Sequence, residues 1–406
     1  MKGLIIKIGK AIQDLKRDGF LNGSKKIINS LKLYRKLMKK LPGGDVLFIT
    51  NGVGDSALYR SHHVSEELNL NGFKSFVSIA DSPYLLGYAD SFKIFVFQKV
   101  SYNSKIKNLI DKIKSLNKEI IFEIDDLVFD SSYFNRIDFL ENINSFEKKQ
   151  YEKGIGEEIL KDPYVKVCTT TTSYLADKLR EYPARNAAYS DAGGNKKVFI
   201  VPNKLSQSDI EICEKIVESK VHKVEKSIKL GYFSGTISHN KDFAVITDVL
   251  FQIMEKYSQV KLFLAGPLDI ENKLNKFKDR IKQPPYVPRK KHFENIASVD
   301  INLAPLEIGN PFCEARSELK FFEAGIVGVP TIASATQTFK EAISDGFDGF
   351  VASNTEEWFS KLERLILSPE LRLGIGQKAR QKALEQYSTQ NAKNEEYYAC
   401  LRSKIK

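Results

Sequence analysis

The stretch Ser317-Glu318-Leu319-Lys320-Phe321-Phe322-Glu323-Ala324-Gly325-Ile326-Val327-Gly328-Val329-Pro330-Thr331-Ile332-Ala333-Ser334 decides how this chain folds. Its first part predicts a helix over Ser317–Ile326, and Phe321, Phe322 and Ala324 mark that helix as mostly buried. Gly328 stops the helix and Pro330 starts a short apolar strand, Pro330–Ser334. A buried helix, a tight turn and a buried strand make one step of an α/β alternation. The same step recurs on both sides. Upstream come a strand at Lys229–Phe233, a turn at Ser234-Gly235-Thr236, a helix from Asp242 to Tyr257, and strands at Lys261–Ala265 and Asp300–Ala304. Downstream come a helix at Phe339–Ser344, a strand at Gly349–Val351, helices at Thr355–Leu367 and Leu371–Gln386, and a polar tail.

An equivalent alternation occupies the first half. Strands are expected at Val46–Thr50, Ser75–Ile79, Lys93–Phe97, Glu119–Ile124, Val165–Thr169 and Val198–Val201. The first ends in the turn Asn51-Gly52-Val53-Gly54 and feeds a helix over Ser56–Leu70, and an amphipathic helix covers Lys105–Leu116. Phe129 to Lys161 reads as a polar, helical insertion. The expected order is a basic leader over 1–44, a first Rossmann-like domain over 45–204, a charged linker over 205–227, a second Rossmann-like domain over 228–388 and a tail over 389–406. The fold class is therefore α/β, with two parallel sheets facing a central cleft and ligands at the C-terminal strand ends. A chain of 406 residues is also longer than one core usually supports.

Composition narrows the function classes. With 42% hydrophobic residues the chain is globular, and no run approaches the roughly 20 apolar residues of a spanning helix. Lys2, Lys7 and Lys10 interrupt any signal-peptide core, and Cys168, Cys213, Cys313 and Cys400 lack metal-ligand spacing, which reads as reduced thiols in the cytoplasm. Residues 1–42 hold ten Lys and two Arg against Asp14 and Asp18, so they carry +10 of the net +11. Leu4, Ile5, Ile8, Ile12 and Leu15, then Ile27, Ile28, Leu31, Leu33 and Leu37, recur at helical spacing in that leader. A basic amphipathic helix suits an anionic membrane surface, each Lys or Arg near the headgroups contributing about 1 kcal/mol. The alternative is a solvated helix packed on the first domain. Nucleic acid is not expected as a partner, because no stacking or groove-reading motif accompanies the charge.

Five ordered motifs carry a resemblance. The 317–334 segment, with its Glu-Ala, small-residue helix end and Gly-x-Pro, resembles the donor-site segment of the retaining family-four glycosyltransferases of the GT-B fold. Gly231-Tyr232-Phe233-Ser234-Gly235-Thr236 with His239-Asn240-Lys241-Asp242 resembles the first strand and phosphate-facing loop of that domain. Leu264-Ala265-Gly266-Pro267, Val201-Pro202-Asn203 and Asp345-Gly346-Phe347-Asp348-Gly349-Phe350 resemble three further family features. The likeness spans about residues 45–390, more firmly in the second half.

The resemblance implies a nucleotide-diphosphate-sugar donor held by Ser234, Gly235, Thr236, Lys241, Gly266, Arg316, Ser317, Glu318, Leu319, Lys320 and Glu323, with Gly52 and Gly54 facing the diphosphate from the first domain. Ser317 opens the donor helix, Lys320 neutralises the leaving pyrophosphate and Glu323 accepts from the ribose hydroxyls. Backbone amides at a helix start and cations suit a diphosphate, so no metal and no other cofactor is expected. Lys241 is a second phosphate cation or a solvated first-turn lysine. The family places a further glutamate where this chain has Ala315, which leaves Glu314 to reach the donor sugar or Arg316 to contact phosphate.

The first half is expected to bind the acceptor. Tyr59 and Arg60 follow the glycine turn, with Arg60 facing either the cleft or solvent. Glu123-Ile124-Asp125-Asp126 sets carboxylates at a strand end, where Asp125 or Asp126 orients an acceptor hydroxyl or caps the following loop. His62 and His63 read as structural. The expected activity is retaining sugar transfer to a glycan or lipid-linked acceptor in surface polysaccharide synthesis, by a cytoplasmic enzyme peripheral on the inner face of the membrane. A nucleotide-sugar epimerase and a catalytically silent assembly partner share the same motifs.

Overall fold

A computed structural model of the chain describes residues 23–24, 27–136, 145–185, 196–219, 227–234, 240–266, 268, 272–284 and 287–405. They divide into two compact units, Gly23–Ser206 with Ala392–Lys406, and Gln207–Asn391. Each is a helix-covered, wholly parallel sheet.

The first sheet contains β1 (Val46–Thr50), β2 (Ser75–Ile79), β3 (Ile94–Gln98), β4 (Glu119–Ile124), β5 (Val167–Thr170) and β6 (Lys197–Ile200), in the spatial order β2-β1-β3-β4-β5-β6. In register, Thr50 of β1 lies beside Gln98 of β3, and Gln98 beside Glu123 of β4, so three polar side chains collect at the sheet's C-terminal edge. β1, β3 and β5 are buried along their whole length, and β1 and β3 read as apolar runs up to their terminal Thr50 and Gln98. The helix Ser104–Ser115 shows the local logic. Asn103 caps it by accepting from the amides of Lys105 and Ile106, while Ile106, Leu109, Ile110 and Ile113 form its buried stripe.

The second sheet contains β7 (Ile228–Phe233), β8 (Val260–Ala265), β9 (Ile281–Lys282), β10 (Ile301–Ala304), β11 (Thr331–Ser334) and β12 (Phe350–Ala352), in the order β12-β11-β10-β7-β8-β9. Its core joins Leu230, Tyr232, Leu262, Leu264, Ile301, Leu303 and Ile332 to Trp358 and Leu362 of the helix Thr355–Leu367. β9 was not expected, because two residues at a sheet edge carry no readable period.

Three expectations about segments are corrected. The tail 389–406 contains a helix, Glu395–Ile405, whose Tyr397, Tyr398 and Leu401 are buried in the core of the first unit with Phe48, Leu68, Val96 and Phe199. Tyr397 packs 5.4 Å from Phe199, centroid to centroid, and the Tyr398 hydroxyl donates to Glu67 at 2.6 Å. Glu67 is itself buried and paired with Lys204 at 2.9 Å, so one carboxylate anchors the returning helix. The linker 205–227 contains the helix Gln207–Glu218, and Arg289 joins it to its own unit through Asp209 at 2.8 Å. Ser56–Leu70 is not one regular helix: π-helical Leu58–His63 lies between α-helical Asp55–Ala57 and Val64–Leu70, and the wider turn has no signature in apolar spacing.

Residues 1–22 of the leader lie outside the described residues. Residues 27–37 are helical, with Leu37 buried, Tyr34 donating to Asp81 at 2.7 Å, and Ile28 and Leu31 about half exposed. No described helix is long and apolar enough to cross a membrane.

Candidate functional site

The chemistry of the second unit gathers on the helix Leu319–Gly325, which starts two residues later than the sequence pattern implies, so Ser317 and Glu318 precede it. Glu318 is buried beside Tyr387 and raises that phenol's pKa, after burial itself. The helix lies against Pro369–Gln386 so closely that a Cβ on Gly325 would stand 2.8 Å from the Ala379 carbonyl. The small residue after Glu-Ala is therefore a packing requirement.

Lys320 reaches the end of β7 and donates to the Phe233 carbonyl at 2.5 Å, its ammonium 5.3 Å from the Tyr232 ring centroid. Burial first, and the neighbouring Arg316 second, lower its pKa to about 8. The cation is thus poorly solvated and held beside another positive charge, a state that an incoming anion relieves. Asn302 of β10 fixes the helix by donating to the Lys320 carbonyl at 3.0 Å.

One turn on, Glu323 is a buried carboxylate between two partners of the helix Arg289–Ala297: Arg289 at 3.3 Å and His292 at 3.1 Å. Arg289 also grips Asp209 through Nε at 2.5 Å and Nη2 at 2.8 Å. These partners escape a sequence reading, since neither helix that carries them has a motif.

The neighbouring expectations meet different surroundings. Arg316 pairs with Asp242, which also accepts from the Cys313 thiol at 3.2 Å. Asp242, Glu307 and Cys313 bring three possible metal-ligand atoms within 4.8 Å, but burial and then Asp242 push that thiol up to about 12, keeping it protonated. Glu314 accepts from the amide of Gly309 at 2.9 Å and from the amide of Gln337 at 2.8 Å. Its two oxygens thereby tie a loop to the start of the helix Gln337–Ala342, which gives Glu314 a structural task beside the hydroxyl-binding role expected of it. Lys241 is exposed on the short helix Asn240–Ala244. Ser234 and Gly266 follow β7 and β8, and a Cβ on Gly266, at φ +98°, would fall 2.0 Å from the Ser234 carbonyl. Gly235 and Thr236 lie outside the described residues.

In the first unit, a Cβ on Gly52 or Gly54 would meet no protein atom within 4 Å. Both acceptor-side expectations on the following helix are corrected. Tyr59 is buried with its ring edge-on to His63 at 4.9 Å. Arg60 is fully buried, bonding Glu123 through Nε at 2.7 Å and Nη2 at 3.0 Å, and Val201 and Asn203 through Nη1 at 2.6 and 3.1 Å. Four of its five N–H donors are thus taken inside the protein, and the group is buried away from any ligand. Burial raises the Glu123 carboxyl even beside Arg60.

Asp125 and Asp126 follow β4 directly. Ser56 donates to Asp125 Oδ2 at 2.5 Å, Gln98 donates to Ser56 at 2.9 Å, and Thr50 donates to Gln98 at 2.8 Å. Lys99 stands 3.5 Å from Asp125 Oδ1 and 3.4 Å from Asp126 Oδ2. Asp126 Oδ1 caps the turn Leu127–Phe129 by accepting from the Leu127 amide at 2.8 Å.

Residues 249–395 match the family described as glycosyl transferase-like. A glycosyltransferase of Rickettsia africae, 13% identical, shares the fold with a TM-score of 0.57 over 90% of this chain and 100% of that one. The chain has the GT-B fold of these glycosyltransferases. Anabaena HepE, solved with UDP-glucose, is 12% identical with a TM-score of 0.56 over 89% of this chain and 100% of its own. The sucrose-phosphate synthase of Thermosynechococcus elongatus gives 12%, 0.56, 88% and 99%. No curated protein matches this GT-B chain by sequence. The GT-B frame places the Lys320–Glu323 helix at the C-terminal edge of the second sheet and the Asp125–Lys99 cluster at that of the first, the edges where parallel sheets hold ligands.

Proposed function

We propose that this glycosyltransferase moves a sugar from a nucleoside-diphosphate-sugar to a glycan or lipid-linked acceptor, with retention, in surface polysaccharide synthesis. The observation that carries the reading is the helix Leu319–Gly325, which sets a poorly solvated ammonium at the end of β7 and a buried carboxylate one turn later. Lys320 balances charge that develops on the leaving pyrophosphate, and Glu323 accepts from the ribose hydroxyls. The first unit recognises the acceptor. HepE was solved with UDP, with UDP and glucose, and with UDP-glucose, which makes a uridine nucleotide the first to try.

A panel of nucleotide-sugars is screened by thermal shift, since a ligand that binds only the folded state raises its stability. A rise with one nucleotide series, followed by sugar transfer that persists in EDTA, is the expected result. No rise with any nucleotide diphosphate removes the donor-site reading. Activity lost in EDTA and restored by manganese requires a metal site, for which Asp242, Glu307 and Cys313 are the residues to substitute.

The leader is proposed to hold the enzyme on the inner face of the cell membrane. Ile28 and Leu31 are exposed beside Lys32, Arg35 and Lys36, a pairing that suits an anionic interface. Removing residues 1–22 and replacing Ile28 and Leu31 with Ser and Lys32, Arg35 and Lys36 with Gln is expected to release the chain from anionic liposomes and to leave transfer to a soluble acceptor unchanged. Salt weakens the attachment by screening, with a Debye length of about 8 Å at physiological strength. Equal co-sedimentation of full-length and shortened chains places the contact elsewhere.

A further inference from the structure

Lys99 has φ +50°, and among the described residues it shares a positive φ outside glycine only with Asn117. Asparagine tolerates the left-handed region, whereas a lysine is out of place there. The Lys99 amide is held by the Glu123 carbonyl at 3.0 Å, so the turn directly after β3 is tied to β4. The result is that the Lys99 ammonium stands against the two aspartates that follow β4.

Those aspartates are not equivalent. Asp126 spends Oδ1 on the Leu127 amide and acts as a cap. Asp125 Oδ1 is buried with no hydrogen-bond donor and has only the Lys99 charge opposite it, while Oδ2 takes the Ser56 hydroxyl. A carboxylate oxygen accepts up to two hydrogen bonds, and Ser56 supplies one. The chain of side chains from Thr50 through Gln98 to Ser56 fixes the plane of the group.

We propose that Lys99 is a positioning residue that keeps Asp125 ionised and oriented, and that Asp125, not Asp126, receives the hydrogen bond of a neutral acceptor hydroxyl. The inference rests on the transferase reading and assigns its acceptor side. The charged and titratable groups that face this pair are Asp126 and Glu123 from the β4 strand and its end, Arg60 from the π-helical turn, and Tyr151 from the helix Ser145–Glu152. Burial raises the Asp125 carboxyl, and Lys99 outweighs it first, with Ser56 and Arg60 after, to hold it below the ordinary range. Without the Lys99 charge, burial is opposed only by the smaller contributions.

The test uses the full chain labelled with 13C at aspartate carboxyls, with the Asp125 signal assigned by its loss in Asp125→Asn. In Lys99→Met the Asp125 titration moves up by about one pH unit or more, and Lys99→Arg restores it. Lys99→Gly relieves the backbone but removes the same charge, and it moves the titration as Lys99→Met does. Turnover of UDP-glucose, with water as the hydroxylic acceptor, shows its acid limb shifted in the same sense while UDP affinity stays within twofold. An unmoved titration in Lys99→Met overturns the positioning role. A moved titration with an unmoved acid limb, or a larger loss of turnover from Asp126→Asn than from Asp125→Asn, overturns the assignment to the acceptor. A wild-type chain that binds no nucleotide diphosphate defeats the transferase reading itself, and the titration still decides the Lys99–Asp125 pairing.

Discussion

Glu323→Ala lowers kcat/KM for the nucleotide-sugar by roughly 100- to 1,000-fold, with the fold retained. Hydrogen bonds to a charged acceptor are worth about 1.5–3 kcal/mol each, so two ribose hydroxyls at the lower end of that range account for about 3–4 kcal/mol at about 1.4 kcal/mol per tenfold. Stability changes less, because the partners are not stranded. Arg289 keeps its two bonds to Asp209, and His292 keeps its ring contact with Phe233 at 5.7 Å. Glu323→Gln preserves shape and one acceptor oxygen and falls between the two. Steady-state kinetics over a donor series, with the melting temperature of each variant, check the prediction. Wild-type kcat/KM in Glu323→Ala removes the residue from the donor site, and a collapse in melting temperature with it makes the carboxylate a fold element.

Arg60→Met destabilises the first unit by about 3–5 kcal/mol, the usual cost of leaving a buried charge without its partner. Glu123 is 2% exposed and would keep only the Thr169 hydroxyl among its present side-chain hydrogen-bond partners. Adding Glu123→Leu recovers most of the loss, since an apolar pair replaces a buried ion pair at little cost. The molecule carries its own control. Its single tryptophan, Trp358, lies in the core of the second unit, so fluorescence follows that unit while circular dichroism follows both. In urea, Arg60→Met moves the dichroism transition and leaves the fluorescence transition in place. If both move together the two units unfold as one, and if neither moves the ion pair is not what holds β4 to the π-helical turn.

The alternation of apolar runs and helical stretches was enough to find all six strands of the first sheet and five of the second, because fully buried parallel strands announce themselves locally. What was not legible depends on partners far away in sequence. Arg60 reads as a surface or cleft residue until Glu123 and Val201 are brought to it. The apolar face of Glu395–Ile405 is visible in Tyr397, Tyr398 and Leu401, but its partner Glu67 lies more than 300 positions upstream. Glu323 and Lys320 stood out through the segment that carries them, whereas Arg289, His292 and Asp209 sit on helices without a motif. Lys99 was invisible for another reason: a backbone angle is not written in the identity of a single lysine.

The returning helix sets an order of events in synthesis. The first sheet is complete by Ile200, yet the side chains that close one of its faces arrive with residues 395–405. At about 5–20 residues per second, the intervening stretch takes roughly 10–40 s to translate. Through that interval Phe73, Phe199 and the Glu67–Lys204 pair lack their final cover, and the second unit is made in the meantime. A nascent chain stalled before residue 395 should therefore display a sticky, chaperone-binding first unit, and the emergence of residues 395–405 becomes the step that seals it.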